Sequence, residues 1–202
     1  MTHTDSVQDY FARSRQLFEQ ATKDAAFIAA VATIADRMAR VLREGGKLLF
    51  AGNGGSAADA QHAAAEFLSR FAMDRHPLPA IALTTDTSVL TAIGNDYGYE
   101  QVFARQVQGL AKKGDAFIAI STSGGSANVL AALRTARDMG VTTIGFGGAT
   151  GGKMRELCDL LLAVPSTETS LIQQVHIAAY HAICGIVERE LFPTPGPAKT
   201  RP

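Results

Sequence analysis

The chain has 202 residues, of which 47% are apolar, and its 19 basic and 19 acidic side chains give a formal net charge of zero. This length suits one domain with a sizeable core. The zero charge, with Lys and Arg scattered along the chain, disfavours a protein that binds nucleic acid through a basic surface. No continuous apolar stretch has the length of a membrane span, and we expect neither a membrane segment nor a signal peptide. Cys158 and Cys184 lie in apolar surroundings, which predicts buried free thiols and a cytoplasmic protein.

Apolar spacing along the chain predicts helices that alternate with short strands. In chain order we predict two helices across 6–44, a strand over 47–51, a helix over 57–71, a strand over 78–83, a helical or irregular segment over 86–111 interrupted at 94–98, a strand over 115–120, a helix over 127–139, strands over 141–146 and 159–164, and a helix over 168–191.

Short apolar strands that alternate with helices form parallel sheets covered on both faces. We therefore predict an α/β fold, a three-layer sandwich around a five-stranded parallel sheet of the doubly wound type, with additional N-terminal helices. Residues 1–192 are expected to form one domain. The polar, Pro-rich tail over 193–202 is expected to be disordered.

Two turns rich in glycine and hydroxyl side chains follow the first and third predicted strands. The first is Gly52–Ser56 and the second is Ser121–Ser126. Glycine lets the backbone approach a ligand closely, free N–H groups at a helix start attract anions, and the hydroxyls add neutral donors. Ligands of parallel sheets bind at the carboxyl ends of strands, where both turns are placed. Because neither turn contains a basic residue, the pair predicts a phosphate-monoester site that works without an arginine.

The first turn also satisfies the Gly-x-Gly-x-x-Ala pattern of dinucleotide-binding folds. Asp74 has about the right spacing for a ribose-binding acid, but it precedes the next strand instead of ending it. Asp86 is nearer such a position but is rather far along the chain. The hydroxyl-rich second turn has no role in that scheme, so a nicotinamide cofactor is the weaker interpretation.

His62 and Glu66 are four residues apart and share one face of the third predicted helix. The pair suits a divalent metal such as zinc or proton transfer next to a bound sugar, and a solvated surface pair is the alternative. Small apolar neighbours favour a packed helix, whose polar groups need partners. Gln173 and His181 on the closing helix are about 12 Å apart along its axis. They reach one ion only by leaning together or by coming from different subunits, and His176 is also compatible with a buried core histidine.

Three motifs in this order resemble the sugar isomerase (SIS) domain family: Gly52–His62, Gly94–Asp96 and Ser121–Ser126. The resemblance covers nearly the whole chain except the tail, and it is specific to the branch that isomerises seven-carbon sugar phosphates. It implies a flavodoxin-like fold and a homotetramer with shared active sites and one zinc ion per subunit. The implied reaction interconverts sedoheptulose 7-phosphate and D-glycero-D-manno-heptose 7-phosphate, the first step towards the heptose of bacterial envelope or capsule glycans.

The resemblance also implies roles for particular residues. The substrate-binding residues that match the family motifs are Asn53, Gly54, Gly55, Ser56, Glu66, Asn95, Asp96, Ser121, Thr122, Ser123, Ser126 and Gln173. The implied zinc ligands are His62, Glu66, Gln173 and His181, with Glu66 and His181 also the catalytic acid–base pair. Two positions depart from the usual family pattern: Glu168, since some members place an acid nearer position 173, and Gly125, where asparagine or lysine is frequent.

A relative of a different class shares the turns and a Gln–His pair. It is a non-catalytic tetrameric adaptor that binds the replication initiator protein. That adaptor lacks the carboxylate at the position of Glu66 and a counterpart of His181, and this chain has both. We therefore predict a phosphosugar isomerase, with the adaptor as the alternative and a sugar-phosphate sensor as a third, less favoured class.

Overall fold

Two consecutive helices open the chain in the computed structural model, which describes residues 2–193. Helix α1 spans His3–Lys23 and α2 spans Ala25–Arg43. Asp24 ends α1 and caps α2, because its carboxylate accepts hydrogen bonds from the N–H groups of Ala26 and Phe27. The predicted tail lies outside the described residues from 194 onwards.

Five parallel strands form one sheet in the order β2-β1-β3-β4-β5. Their bounds are β1 Leu48–Gly52, β2 Ala80–Ala82, β3 Ala116–Ile120, β4 Thr142–Gly147 and β5 Leu160–Ala163. This is the flavodoxin-like strand order, and it confirms the predicted doubly wound fold. The order reverses between β1 and β3, so the connections that leave these strands diverge and open a crevice at their carboxyl ends. Both glycine- and hydroxyl-rich turns lie at this crevice.

Helices cover both faces of the sheet and produce two cores. The remaining helices are α3 Gly55–Leu68, α4 Thr87–Tyr97, α5 Ala104–Leu110, α6 Ala127–Asp138 and α7 Thr169–Leu191. Side chains alternate along a strand, so Leu48 and Phe50 of β1 enter one core while Leu49 and Ala51 enter the other. The first core contains α2, α3 and α7, and the second contains α5 and α6.

The predicted interruption at 94–98 is wrong for most of its length. Residues 94–97 are helical within α4, and the chain breaks only at Gly98, whose φ of +86° disfavours a side chain. A 3₁₀ turn, Tyr99–Gln101, then leads into α5. Gly94 stays helical because a single glycine inside a helix costs only about 1 kcal/mol. The other predicted elements are present, with ends that differ by up to three residues.

Helix α7 departs from the expectation that nothing in the chain could span a membrane. Among the residues described, it is the one helix whose length and composition would allow a span, with a mean hydropathy of 1.2. It contacts α2, α3 and α1, and 56% of the apolar window is buried inside the structure. This burial is typical of the core helix of a globular fold.

Candidate active site

The two turns meet in one cavity of about 190 Å³ at the carboxyl edge of β1 and β3. We call it the phosphate cavity. It is lined by Asn53, Gly55, Ser56, Ile120, Ser121, Thr122, Ser123, Ser126, Thr169 and Gln173. None of these residues is basic. Helices α3 and α6 both begin at the cavity, so their free N–H groups and partial positive charge favour an anion there. Eight of the twelve predicted substrate-binding residues are therefore brought together.

Glycines shape the first turn. Gly54 has a φ of +56° and forms the N-cap of α3, a backbone conformation that L-residues rarely adopt. At Gly55, a Cβ atom would lie 2.5 Å from the Nε2 atom of Gln173. The absence of a side chain at position 55 thus lets α7 bring the Gln173 amide into the wall of the phosphate cavity.

Hydroxyl groups of the second turn bond to one another and to α7. Ser121 Oγ lies 3.1 Å from Ser126 Oγ, and Thr122 Oγ1 lies 3.3 Å from Thr169 Oγ1. The backbone N–H of Gly125 donates to Ser123 Oγ over 3.2 Å. Since a hydroxyl can rotate to donate or accept, these groups can turn their O–H bonds towards a bound anion.

An amide pair that the sequence did not indicate joins the first turn to the start of α6. Asn53 Nδ2 donates to Asn128 Oδ1 over 2.9 Å, and Asn128 Nδ2 donates to Asn53 Oδ1 over 2.8 Å. The hydroxyl of Tyr99 donates to the same Asn53 oxygen over 3.2 Å. Asn128 is 3% exposed. The only sequence signal was a polar residue on the buried side of α6, which is too common to single out.

Asn95 and Asp96 lie outside the phosphate cavity in this chain. Both are exposed on α4, and Asn95 Nδ2 donates to Asp96 Oδ1 over 2.8 Å. The fold of the single chain therefore does not bring these two predicted binding residues to the other eight.

Side chains from α3 and α7 form a His/Glu/His group, consisting of His62, Glu66 and His181. His62 Nε2 lies 3.0 Å from Glu66 Oε1 and 3.4 Å from His181 Nε2. The His62 and Glu66 side chains are 46% and 21% exposed. The helix is packed through Ala60, Ala63, Ala64 and Phe67, as predicted, but Ala65 is exposed and this edge of the helix reaches the surface of the single chain.

Two further polar side chains, Tyr180 and Asp59, lie near His62. Tyr180 Oη lies 2.7 Å from His62 Nδ1, which orients the ring so that Nε2 faces Glu66 and His181. Burial raises the pKa of Tyr180, so its phenol stays protonated. One helical turn before His62, Asp59 is 7% exposed and its Oδ2 atom has no hydrogen-bond partner. Burial raises the pKa of Asp59 to about 6, against the opposing influence of His62.

The His/Glu/His group fits a divalent metal ion. Two imidazole nitrogens and a carboxylate oxygen are a common donor set for zinc. Nitrogens bound to one tetrahedral zinc are separated by about 3.3 Å, given Zn–N bonds of about 2.0 Å, and the two Nε2 atoms here are 3.4 Å apart. Three of the four predicted ligands are therefore adjacent. The fourth, Gln173, lies against Gly55 in the phosphate cavity, eight residues before His181 on α7.

His176 and the two cysteines lie outside both the phosphate cavity and the His/Glu/His group. His176 is fully buried, and its Nε2 atom lies 3.2 Å from the carbonyl oxygen of Gly147. Its Nδ1 atom has no partner, so it is a core histidine whose bonding is only half satisfied. Cys158 and Cys184 are free thiols, as predicted, but only Cys184 is buried, while Cys158 is partly exposed. Desolvation raises the pKa of each to about 12.

Comparison with known proteins identifies the family. The SIS domain model matches residues 9–148. The chain is 55% identical over 186 residues to a phosphoheptose isomerase of Burkholderia pseudomallei (strain 1710b), covering 92% of this chain and 94% of that protein. It is 62% identical over 162 residues to a phosphoheptose isomerase of Roseiflexus sp. (strain RS-1), covering 80% and 82% of the two chains. The chain belongs to the phosphoheptose isomerases of the SIS-domain family.

Solved phosphoheptose isomerases share this fold. The Neisseria gonorrhoeae protein has a TM-score of 0.87 at 43% identity, covering 93% of this chain and 99% of that one. The Francisella tularensis protein has a TM-score of 0.90 at 38% identity, covering 94% and 100% of the two chains. These similarities confirm the predicted enzyme class, a phosphosugar isomerase, and give no support to the adaptor alternative.

Proposed function

We propose that the chain interconverts sedoheptulose 7-phosphate and D-glycero-D-manno-heptose 7-phosphate in the cytoplasm, as the first step of bacterial heptose biosynthesis. One observation carries the proposal: α3 and α7 line part of a cavity that has no basic side chain, and the same two helices carry the His/Glu/His group. Gly55 and His62 are seven residues apart on α3, about 10 Å along the axis. A sugar held by its terminal phosphate extends from the first site towards the second.

The phosphate is bound by helix N-termini and hydroxyls. Its oxygens accept hydrogen bonds from the N–H groups at the starts of α3 and α6 and from the hydroxyls of Ser121, Thr122, Ser123 and Ser126. Ser56 and the Gln173 amide complete the lining. The lining of the cavity has no charged side chain, so the phosphate is held by hydrogen bonds and by the helix dipoles. Product release therefore does not require an ion pair to break.

The isomerisation moves one proton between C1 and C2. Glu66 removes a proton from C1 of the ketose while His181 donates a proton to the C2 oxygen, which gives an enediol. His181 then accepts the proton of the C1 hydroxyl as the C1 carbonyl forms, and Glu66 returns its proton to C2. The 3.0 Å contact between His62 and Glu66 orients the carboxylate for this exchange.

His62, Glu66 and His181 would hold one zinc ion per subunit, with Gln173 as the fourth ligand. A bound zinc ion supplies Lewis acidity at the sugar oxygens. The donor set and the spacing of the two Nε2 atoms support this assignment. Tyr180 orients the metal-binding face of His62 through the opposite ring nitrogen.

The active form is a homotetramer whose sites are shared between subunits. Large apolar side chains on the first two helices support this assembly, since Val7, Phe11 and Ile28 are 55%, 68% and 48% exposed in the single chain. The position of Asn95 and Asp96, exposed and away from the phosphate cavity, supports a site that a neighbouring subunit completes.

Turnover of the proposed substrate tests the function. Purified protein is incubated with sedoheptulose 7-phosphate, and the aldose product is followed by nuclear magnetic resonance, with Glu66→Gln as the inactive control. We expect the aldose to accumulate to an equilibrium ratio only with the unmodified chain. Absence of product from a folded sample supplied with zinc would overturn the proposal.

A further inference from the structure

The segment between α3 and β2 folds around an ion pair that is buried from solvent. Arg75 Nε donates to Glu188 Oε1 over 2.9 Å, and each of the two side chains is 2% exposed. Arg75 lies in this connecting segment, while Glu188 lies in the last turn of α7. The pair is thus a link between the ends of the two helices that carry the His/Glu/His group.

Arg75 caps the C-terminal end of α3. Its Nη2 atom donates to the carbonyl oxygen of Glu66 and its Nη1 atom to that of Phe67, both over 2.8 Å. These carbonyls lie in the last helical turn, where no backbone N–H of the same helix is available to them. The planar guanidinium can bond to both carbonyls and to the carboxylate at once, which a lysine ammonium cannot reproduce. The backbone of Glu66 is therefore fixed by Arg75.

Glu188 orders the other part of the segment. Its carboxylate accepts hydrogen bonds from the backbone N–H groups of Phe71, Ala72 and Met73, over 3.1, 2.8 and 3.0 Å. Burial alone would raise the pKa of Glu188, but these three donors and Arg75 lower it below its usual value. The carboxylate stays ionised and holds the turn that begins at Phe71.

Phe71 connects the segment that Glu188 holds to His181, because the Phe71 ring packs against the His181 ring. The two ring centroids are 5.6 Å apart, and the ring planes are tilted by 32°. The Phe71 ring also lies over Gly185, where an added Cβ atom would be 3.3 Å from Phe71 Cε1. Because position 185 is a glycine, one turn after His181, the ring can pack closely against α7 and limit the movement of the imidazole.

We infer that Arg75 and Glu188 are positioning residues for the isomerase reaction, Arg75 through the backbone of Glu66 and Glu188 through Phe71 and His181. This inference rests on the proposed function. The proposed acid–base pair comes from two different helices, so its geometry depends on how their ends are joined. A displacement of about 1 Å in a reacting group can reduce turnover about 100-fold.

The test compares this ion pair with a second buried pair far from the site. Asp115 is fully buried, accepts from the N–H groups of Lys47 and Lys112, and pairs with Lys47 Nζ at 2.5 Å. It lies at the amino-terminal end of β3, opposite the phosphate cavity. Asp115→Asn is therefore the matched control for Glu188→Gln, and Arg75→Lys tests the guanidinium. For each variant, kcat and KM for sedoheptulose 7-phosphate are measured together with the melting temperature.

We expect all three variants to melt at lower temperature. In Glu188→Gln and Arg75→Lys, kcat should fall about 10- to 100-fold with little change in KM, while Asp115→Asn should keep the unmodified kcat. If Glu188→Gln lost stability but kept the same kcat as Asp115→Asn, the pair would be purely structural and the inference overturned. An unmodified chain with no isomerase activity would instead overturn the proposed function.

Phe71→Leu decides the question if the charge variants do not fold. This substitution leaves both charges paired and removes only the ring that lies against His181. We expect kcat to fall while KM and the oligomeric state stay unchanged. A Phe71→Leu protein with unmodified kcat would overturn the role inferred for Glu188, which acts through this ring.

Discussion

At the scale of single residues, Glu66 and His181 each have two proposed roles, as metal ligands and as the acid–base pair. Glu66→Gln keeps the size of the side chain but cannot accept a carbon-bound proton, and His181→Ala removes the group that serves the oxygens. We expect each variant to lose about 10²- to 10⁴-fold in turnover. The measurement is aldose formation together with exchange of the C2 proton into heavy water. Glu156→Gln, an exposed substitution away from the site, is the control, and wild-type turnover in both test variants would contradict the assigned chemistry.

His176 links folding stability to pH. Burial lowers its pKa to about 4, against the opposing bond to the Gly147 carbonyl, while the unfolded chain has the usual value near 6.5. The unfolded state therefore binds the proton first, and stability is lost as the pH falls from about 6.5 towards 4. The full loss is roughly 3 kcal/mol.

Urea unfolding at pH 7 and pH 5, at one protein concentration, measures this dependence. His176→Gln removes the titrating group and keeps an amide donor for the Gly147 carbonyl. We expect the variant to be less stable at pH 7 but to lose less stability between the two pH values. An equal loss in both proteins would place the pH dependence elsewhere.

At the scale of elements, the strand-turn-helix units of β1–α3 and β3–α6 build the phosphate cavity. Ser123→Ala removes one hydroxyl from the second turn and leaves the start of α6 in place. We expect substrate binding to weaken by roughly 0.5–3 kcal/mol, the range for the loss of one hydrogen bond. Hydrogen bonds to a charged group such as phosphate lie at the upper end of that range.

For Ser123→Ala we expect a higher KM with little change in kcat, because the phosphate lies away from the site of proton transfer. Thr135→Ala, a hydroxyl deletion on the far part of α6, is the matched control. A Ser123→Ala protein that lost kcat and kept its KM would show that the second turn acts on the chemistry and not on phosphate binding.

Elements could be predicted from this sequence because their signals are local. Short apolar runs predicted all five strands, and the turn residues at 52–56 and 121–126 indicated the cavity. The pairs Asn53–Asn128 and Arg75–Glu188 join residues 75 and 113 positions apart. Such contacts have no local pattern, since they depend on how the helices pack. Gly94 also shows the limit of local signals. Glycine predicts the end of a helix at this position, but α4 continues through it to Tyr97.

At the scale of the whole molecule, the family resemblance implied site residues that the fold of a single chain does not bring together. The phosphate cavity and the His/Glu/His group are present within a single chain, while Asn95 and Asp96 lie apart on α4. Sequence motifs record which residues a site needs, without saying which copy of the chain supplies them. The exposed apolar side chains of α1 and α2 support the proposed assembly, in which a second copy of the chain would supply the missing residues.

Assembly through the N-terminal helices can be tested by a charge on α1. Val7 and Phe11 are four residues apart and share one exposed apolar face. Phe11→Glu places a carboxylate on that face, so burial against another subunit becomes unfavourable. We expect light scattering at micromolar concentration to give a tetramer for the unmodified chain and smaller species for Phe11→Glu, with activity lost in parallel. Gln16→Glu, about 140° away around the same helix, should remain tetrameric and active. A monomeric unmodified chain that was still active would exclude the shared site.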